Sequence, residues 1–111
     1  MNVNHFIVGG NLTRDPELRR LPDGRAMTCF TVAVNQYAND GEQTYERCDF
    51  IPITSYGRQA ENDAKFLGKG QEVLVECAVH SWYDEAKRKG GFNFETMKVH
   101  YGARSRGSPR Q

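Results

Sequence analysis

The stretch from Asp49 to Gly57 constrains this chain most, because the two-residue period of a β-strand divides it into two unlike faces. Ile51 and Ile53 point one way with Ser55 behind them, while Phe50, Pro52, Thr54 and Tyr56 point the other. A half-buried strand ordinarily gives its aromatics to the core. Here the aliphatic pair fits the core better, which leaves two rings on the more polar face as a stacking surface. The alternative is that Phe50 and Tyr56 cover a second small core. Pro52 has no N–H for a sheet ladder and points to an edge strand or a bulge.

The remaining segments supply partners for this strand. Asn4 to Gly10 forms a short strand with Phe6 and Val8 on one face, and Gly9-Gly10 permits a bulge or a close approach. From Asn11 an extended strand is expected to continue to Arg19, before a turn at Leu21-Pro22-Asp23-Gly24. Met27 to Asn35 alternates, with Phe30, Val32 and Val34 on its apolar face. A polar loop from Gln36 to Thr44 carries a hairpin tip at Asn39-Asp40-Gly41, and the strand from Glu46 to Tyr56 follows. After Gly57 the period changes: Ala60, Ala64 and Leu67 recur at helical spacing and Gly68 ends the helix. Val73, Val75, Cys77 and Val79 mark another half-buried strand, and Trp82-Tyr83 lead into a charged hairpin closed by Gly90-Gly91. A last strand runs from Phe92 to Tyr101.

Three strands, one helix and two strands suit an all-β, five-stranded Greek-key barrel of the OB type, with the helix between strands 3 and 4. The length of 111 residues allows one such domain, expected at 1–102, with a short basic flexible tail at 103–111 containing Arg104, Arg106 and Arg110. No apolar run approaches membrane-spanning length, and the N-terminus lacks a signal-peptide layout. Cys29, Cys48 and Cys77 each fall in a strand-like run and read as buried free thiols of a reducing cytoplasm.

Catalysis has little support in these residues. There is no phosphate-cradling glycine loop and no nucleophile elbow. His5, His80 and His100 lack ligand spacing and read as strand-surface histidines, so neither a metal nor a cofactor is expected. Nucleic acid fits better, because aromatic and basic residues interleave. Tyr37, Phe50, Tyr56, Trp82 and Tyr83 are candidate stacking rings, and Arg14, Arg19, Arg58, Lys69, Lys87 and Arg88 are candidate phosphate partners. Unstacked bases need flat apolar surfaces and phosphates need cations, whereas duplex reading would want a recognition helix. Trp82 and Tyr83 are strand neighbours facing opposite ways, so one is expected to stack and the other to pack. The net charge of +1 decides nothing, since a local basic track matters more than the total.

Several segments together resemble bacterial single-stranded DNA-binding proteins: Asn11-Leu12-Thr13-Arg14-Asp15-Pro16-Glu17-Leu18-Arg19, Phe30-Thr31-Val32-Ala33-Val34-Asn35, Tyr56-Gly57-Arg58-Gln59-Ala60-Glu61 and Phe66-Leu67-Gly68-Lys69-Gly70. The resemblance spans residues 3 to about 100. It implies an OB-fold that wraps single-stranded DNA during replication, repair or recombination. Assembly as a homotetramer in the bacterial cytoplasm at the nucleoid is also implied. Phe50 falls at a stacking tryptophan of that family and Tyr56 at a stacking phenylalanine. Arg58, Lys69 and Arg19 fall at basic positions near the DNA path, and Tyr83 matches the hairpin aromatic if one residue is deleted before it. The family's aromatic at the end of the second strand falls on Ala38, leaving Tyr37 as a displaced substitute. A histidine common at the tetramer contact is Ile51 here, and no acidic tail follows through which protein partners would be recruited. The rival readings are a primosomal replication protein N-like adaptor that bridges helicase-loading factors, and a protein-interaction OB module with its aromatics in the core.

Overall fold

The longest element pair is a hairpin of two strands, β3 (Ala26–Asn39) and β4 (Thr44–Tyr56), in unbroken antiparallel register from Met27↔Tyr56 to Asn39↔Thr44. It is seen in a computed structural model that describes residues 1–103. The other elements are β1 (Phe6–Leu12), β2 (Glu17–Arg20), α1 (Gly57–Phe66), β5 (Glu72–Asp84) and β6 (Lys89–Tyr101). The sheet order is β1-β5-β6-β4-β3-β2, and β1 also pairs with β3 at Asn11↔Ala33 and Leu12↔Val32. That last pairing closes five strands into a barrel, with the helix after β4 as expected. All but the first residue of the expected basic tail lie outside the described residues.

The first strand is divided, in contrast to the continuous segment expected up to Arg19. β1 ends at Leu12 and β2 resumes at Glu17, each pairing with a different length of β3. Pro16 has no N–H to offer a ladder. Between the two pieces the Thr13 N–H still reaches the Thr31 carbonyl at 3.1 Å, and the Asp15 carboxylate accepts the Lys69 N–H at 2.8 Å. Both hairpin loops are also tighter than expected, since the strands continue to Asn39 and Thr44 in one and to Asp84 and Lys89 in the other.

Alternation fills the barrel from every wall. Val8, Leu12, Phe30, Val32, Ile53, Val73, Val75 and Cys77 are buried in one cluster, and Leu67 caps it from just beyond α1. Each aliphatic side chain buried in this way contributes roughly 1.5–3 kcal/mol. Two glycines are required by geometry. A Cβ on Gly10 would stand 2.1 Å from the Ala33 carbonyl oxygen, where β1 crosses β3. Gly57 turns the chain from β4 into α1 at φ 65°, a conformation costly to side-chain-bearing residues. Among the described residues β4 meets β6 through one parallel pairing, Thr54↔Glu95, which leaves the rest of that edge open to accommodate Pro52.

The cysteines differ from expectation. Cys77 is buried, Cys29 is partly covered, and Cys48 is exposed because it shares the outward face of β4 with Phe50. Burial pushes the Cys77 thiol up to about 11, so it stays protonated and unreactive. Two of the three histidines meet at one carboxylate. His100 Nε2 lies 2.8 Å from Glu76 Oε2 and His5 Nε2 lies 3.1 Å from Oε1, and bonding from His100 above all keeps Glu76 below its usual range.

Helix α1 packs through Ala60 and Asp63, and the Ala60 carbonyl accepts the buried Thr28 hydroxyl at 2.7 Å. Asp63 is fully buried, which its helical spacing alone did not announce. Its Oδ1 accepts Gln59 Nε2 at 2.7 Å and the Tyr101 hydroxyl at 2.7 Å, tying the helix to the end of β6. Ser55 stands beside the carboxyl, yet among the described residues neither Ser55 Oγ nor Asp63 Oδ2 completes a hydrogen bond. Burial raises the Asp63 pKa against the opposing effect of Tyr101 and Gln59, and burial likewise raises that of Tyr101, with the carboxylate adding to it. A raised folded-state pKa means that stability is fully present below the unfolded value and is lost as pH climbs through the folded one. Asp63→Asn keeps the Oδ1 acceptor, removes the buried charge and offers an N–H to Ser55. It is therefore expected to raise the melting temperature at pH 7, by roughly 4–8 °C if the gain is about 1 kcal/mol, and to give no gain near pH 3. Thermal melts at the two pH values check this; equal shifts at both would contradict it.

Candidate nucleic-acid interface

Because the β3–β4 register has no bulge, side-chain direction can be followed along its whole length. Phe50 pairs with Ala33 and Tyr37 with Glu46, which puts Tyr37, Phe50 and Tyr56 on the same outward face. Phe50 is 62% exposed and Tyr37 78% exposed, so the second-core alternative does not hold for them. Ile53 and Ser55, one step out of phase, are buried. At about 3.3 Å per residue, the row from Tyr37 to Tyr56 extends over roughly 30 Å. Tyr37 thus joins the other two rings although the expected position at the strand end is Ala38.

Tyr56 differs from the other two. It is half-buried, and the Arg25 guanidinium carbon sits 5.5 Å from its ring centroid. Arg25 Nε donates to Asp23 Oδ2 at 3.0 Å and its backbone N–H donates to Asp23 Oδ1 at 2.9 Å. Arg19 pairs with Met27, which pairs in turn with Tyr56, so Arg19 stands on the same face two strands away. Its neighbour Glu17 bonds it at 3.2 Å, an exposed contact of little energetic weight. Arg58 is exposed in the first turn of α1, directly after the Tyr56-Gly57 corner.

A groove of about 470 Å³ opens beside this row, lined by Arg14, Asp15, Cys29, Pro52, Thr54 and Lys69 among others. It brings Arg14 and Lys69 together, 55 positions apart in the chain, beside the outward face of β4. The division of β1 from β2 places Arg14 there. The turn after α1 brings Lys69, fixed by the Asp15 bond and by the Gly70 N–H donating to the Leu12 carbonyl at 2.8 Å.

The second hairpin corrects one expectation. Trp82 and Tyr83 do face opposite ways, but neither packs inside: both are exposed, at 46% and 66%. Beyond Phe94, which meets Phe6 at 5.0 Å between centroids, the β5–β6 ribbon extends past the barrel and has solvent on both faces. Each ring instead lies across a glycine of the partner strand. A Cβ on Gly91 would come 3.1 Å from the Trp82 indole, and one on Gly90 would come 3.1 Å from the Tyr83 ring. Counting through Ala78↔Glu95 and Thr54↔Glu95 puts Trp82, not Tyr83, on the side of the sheet that carries Phe50. Lys87 and Arg88 are exposed at the hairpin tip and do not line the Arg14–Lys69 groove.

Arg25, Tyr45 and Phe92 are exposed side chains outside the expected stacking and phosphate-binding set. Arg25 was hidden in a turn signal, though the alternation of β3 extended back by two residues would have put it on the outward side with Met27. Tyr45 and Phe92 are exposed, but Tyr45 is one step out of phase with Phe50, and Phe92 pairs with Ser81 on the Tyr83 side.

Among known proteins, the sequence matches the Single-strand binding protein family over residues 3–101. A single-stranded DNA-binding protein of Treponema pallidum is 40% identical over 100 residues, covering 88% of this chain and 57% of that protein. Single-stranded DNA-binding protein A of Bacillus subtilis is 48% identical over 75 residues, covering 67% and 42%. The chain thus spans about half the length of the curated relatives it matches. Among solved structures, the wild-type single-stranded DNA-binding protein of Thermus aquaticus superposes with a TM-score of 0.78 at 25% identity, over 96% of this chain and 52% of that one. The Plasmodium falciparum SSB solved in complex with ssDNA, at 20% identity, shares the fold with a TM-score of 0.78 over 91% and 94% of the two chains. With every strand of the barrel, from Phe6 to Tyr101, inside the region the family model matches, the chain belongs to the single-strand binding protein family.

Proposed function

We propose that this protein binds single-stranded DNA without sequence preference, on the outward face of β3 and β4. The observation that carries the reading is the row of Tyr37, Phe50 and Tyr56, two of them well exposed, flanked by Arg19, Arg58 and the Arg14–Lys69 groove. A base that stacks on such a ring gains about 1–3 kcal/mol whatever its identity, and cations alongside meet the phosphates. The names of the Treponema and Bacillus relatives support this substrate over the adaptor reading. Trp82, on the same side of the sheet, extends the path along the second hairpin, with Lys87 and Arg88 at its tip. Tyr83 lies on the other side and joins only if the strand wraps the ribbon.

The proposed setting is replication, repair or recombination in the bacterial cytoplasm, where coating would keep freed strands from re-annealing. The Treponema and Bacillus relatives are bacterial, and no helix among the described residues is long and apolar enough to cross a membrane. A homotetramer is part of the same proposal. Among the described residues, β1 between Phe6 and Gly10 pairs only with β5, on one edge, and a groove of about 470 Å³ beside it is lined by Phe6, Val8, Val34 and Ile51. An open strand edge next to apolar side chains suits pairing with another copy. Ile51, at the position of the family's contact histidine, lies in that groove.

Titration with oligothymidine, with mass measured on the same sample, tests the reading. Quenching of Trp82 and tyrosine fluorescence by the single strand but not by duplex, on particles of four chains, is expected. A dimer indifferent to oligothymidine would favour the adaptor instead. Phe50→Ala is expected to weaken oligothymidine binding by about 1–3 kcal/mol while moving the unfolding free energy by less than about 0.5 kcal/mol. A large loss of stability with intact affinity would make the ring structural.

A further inference from the structure

Arg25 lies outside the residues so far credited with holding DNA, yet its surroundings single it out. It stands at the end of the β2–β3 turn, on the outward side with Met27, with its guanidinium over one face of the Tyr56 ring. Only Nε is engaged, by Asp23 Oδ2 at 3.0 Å; neither terminal nitrogen meets an acceptor among the described residues. A planar fork with two free ends matches the oxygens of a phosphate, which it can hold in a bidentate manner. Asp23 is ionised at neutral pH like any exposed aspartate, and the Arg25 backbone N–H and then its guanidinium hold the carboxyl below even the usual range. The pair is more than half exposed, so water screens it and the exchange of one anion for another costs little.

We propose that Arg25 is a single-strand contact that trades Asp23 for a DNA phosphate when a base takes its place over Tyr56. In the unbound protein the guanidinium covers the ring and shields it from water. On binding, the side chain swings off the ring, the Asp23 ion pair opens, and a phosphate enters the fork while the freed ring accepts a base. Asp23 is therefore a competitor of the phosphate, and its removal should favour DNA. This inference rests on the proposed single-strand binding and specifies how the Tyr56 end of the site is loaded.

The test measures affinity for oligothymidine, and for an abasic strand of equal length, at 50 and 200 mM salt. It uses the unaltered protein, Arg25→Ala, Arg25→Lys, Asp23→Asn and the double variant. Arg25→Ala should weaken binding at low salt by about three- to tenfold and lower the salt slope by about 0.7. Its deficit should then shrink by about 2.6-fold at the higher salt. The loss should persist on the abasic strand, since the missing partner is a phosphate. Arg25→Lys should keep the slope. Asp23→Asn should tighten binding about two- to fivefold, but only when Arg25 is present. An Arg25→Ala protein that matches the unaltered one in affinity and slope would overturn the inference and leave single-strand binding standing, as would an Asp23→Asn effect that survives without Arg25. If the unaltered protein fails to bind oligothymidine at all, the function proposed above falls, and this inference with it.

Discussion

The β3–β4 ladder is the constraint on which everything else in this molecule depends. Its register runs without a slip from the Met27↔Tyr56 end to the hairpin tip, so side-chain direction never loses phase. A shift of β4 by one residue against β3 would turn Ile53 to solvent and sink Phe50 inside. The buried apolar row therefore enforces the exposed aromatic row: core and interface are two faces of the same pairing. Aromatic rings in water gain nothing from that position in the unbound protein. They stay there because the aliphatic side chains opposite them hold the register.

The remaining elements convert this two-faced wall into a site. β1 closes the barrel against β3 at a point so tight that only Gly10 fits, and the break before Pro16 swings Arg14 and Asp15 toward the turn after α1. Asp15 receives Lys69 there, and the groove beside Pro52 and Thr54 takes its shape. Helix α1 is pinned from below by Thr28 and through Asp63 by Tyr101, so the corner carrying Tyr56 and Arg58 rests on a fixed base. Both hairpins extend beyond the barrel, which lets their aromatics meet solvent on either face.

Much of this was readable in the residues, and the parts that were not have physical causes. The alternation in Met27–Asn35 and Asp49–Tyr56 reports both faces directly, so Phe30, Val32 and Ile53 could be assigned inward and Phe50 outward. Helical spacing of Ala60, Ala64 and Leu67 placed α1 correctly. Asp63 was hidden because a carboxyl on a buried helical face is legible only once Tyr101 and Gln59 are seen to meet it. Cys48 was misplaced because a cysteine in a strand reads as buried unless its parity with Phe50 is followed. Likewise His5 and His100 stand 95 positions apart and share Glu76 only through the pairing of β1 and β6 with β5. Trp82 and Tyr83 alternate as expected, but how far a ribbon extends past its barrel is a tertiary fact. Arg25 was obscured by the turn that precedes it.

The central claim is that the outward face of the β3–β4 ladder, not its opposite side, receives unpaired bases. Side-chain NMR of the protein titrated with oligothymidine tests this most directly. Ring protons of Tyr37, Phe50 and Tyr56 should move upfield as bases stack on them, while those of Tyr45 and the methyls of Ile51, one step out of phase on the same strand, stay in place. Shifts concentrated at Tyr45 and Ile51, with the three outward rings unmoved, would contradict the account.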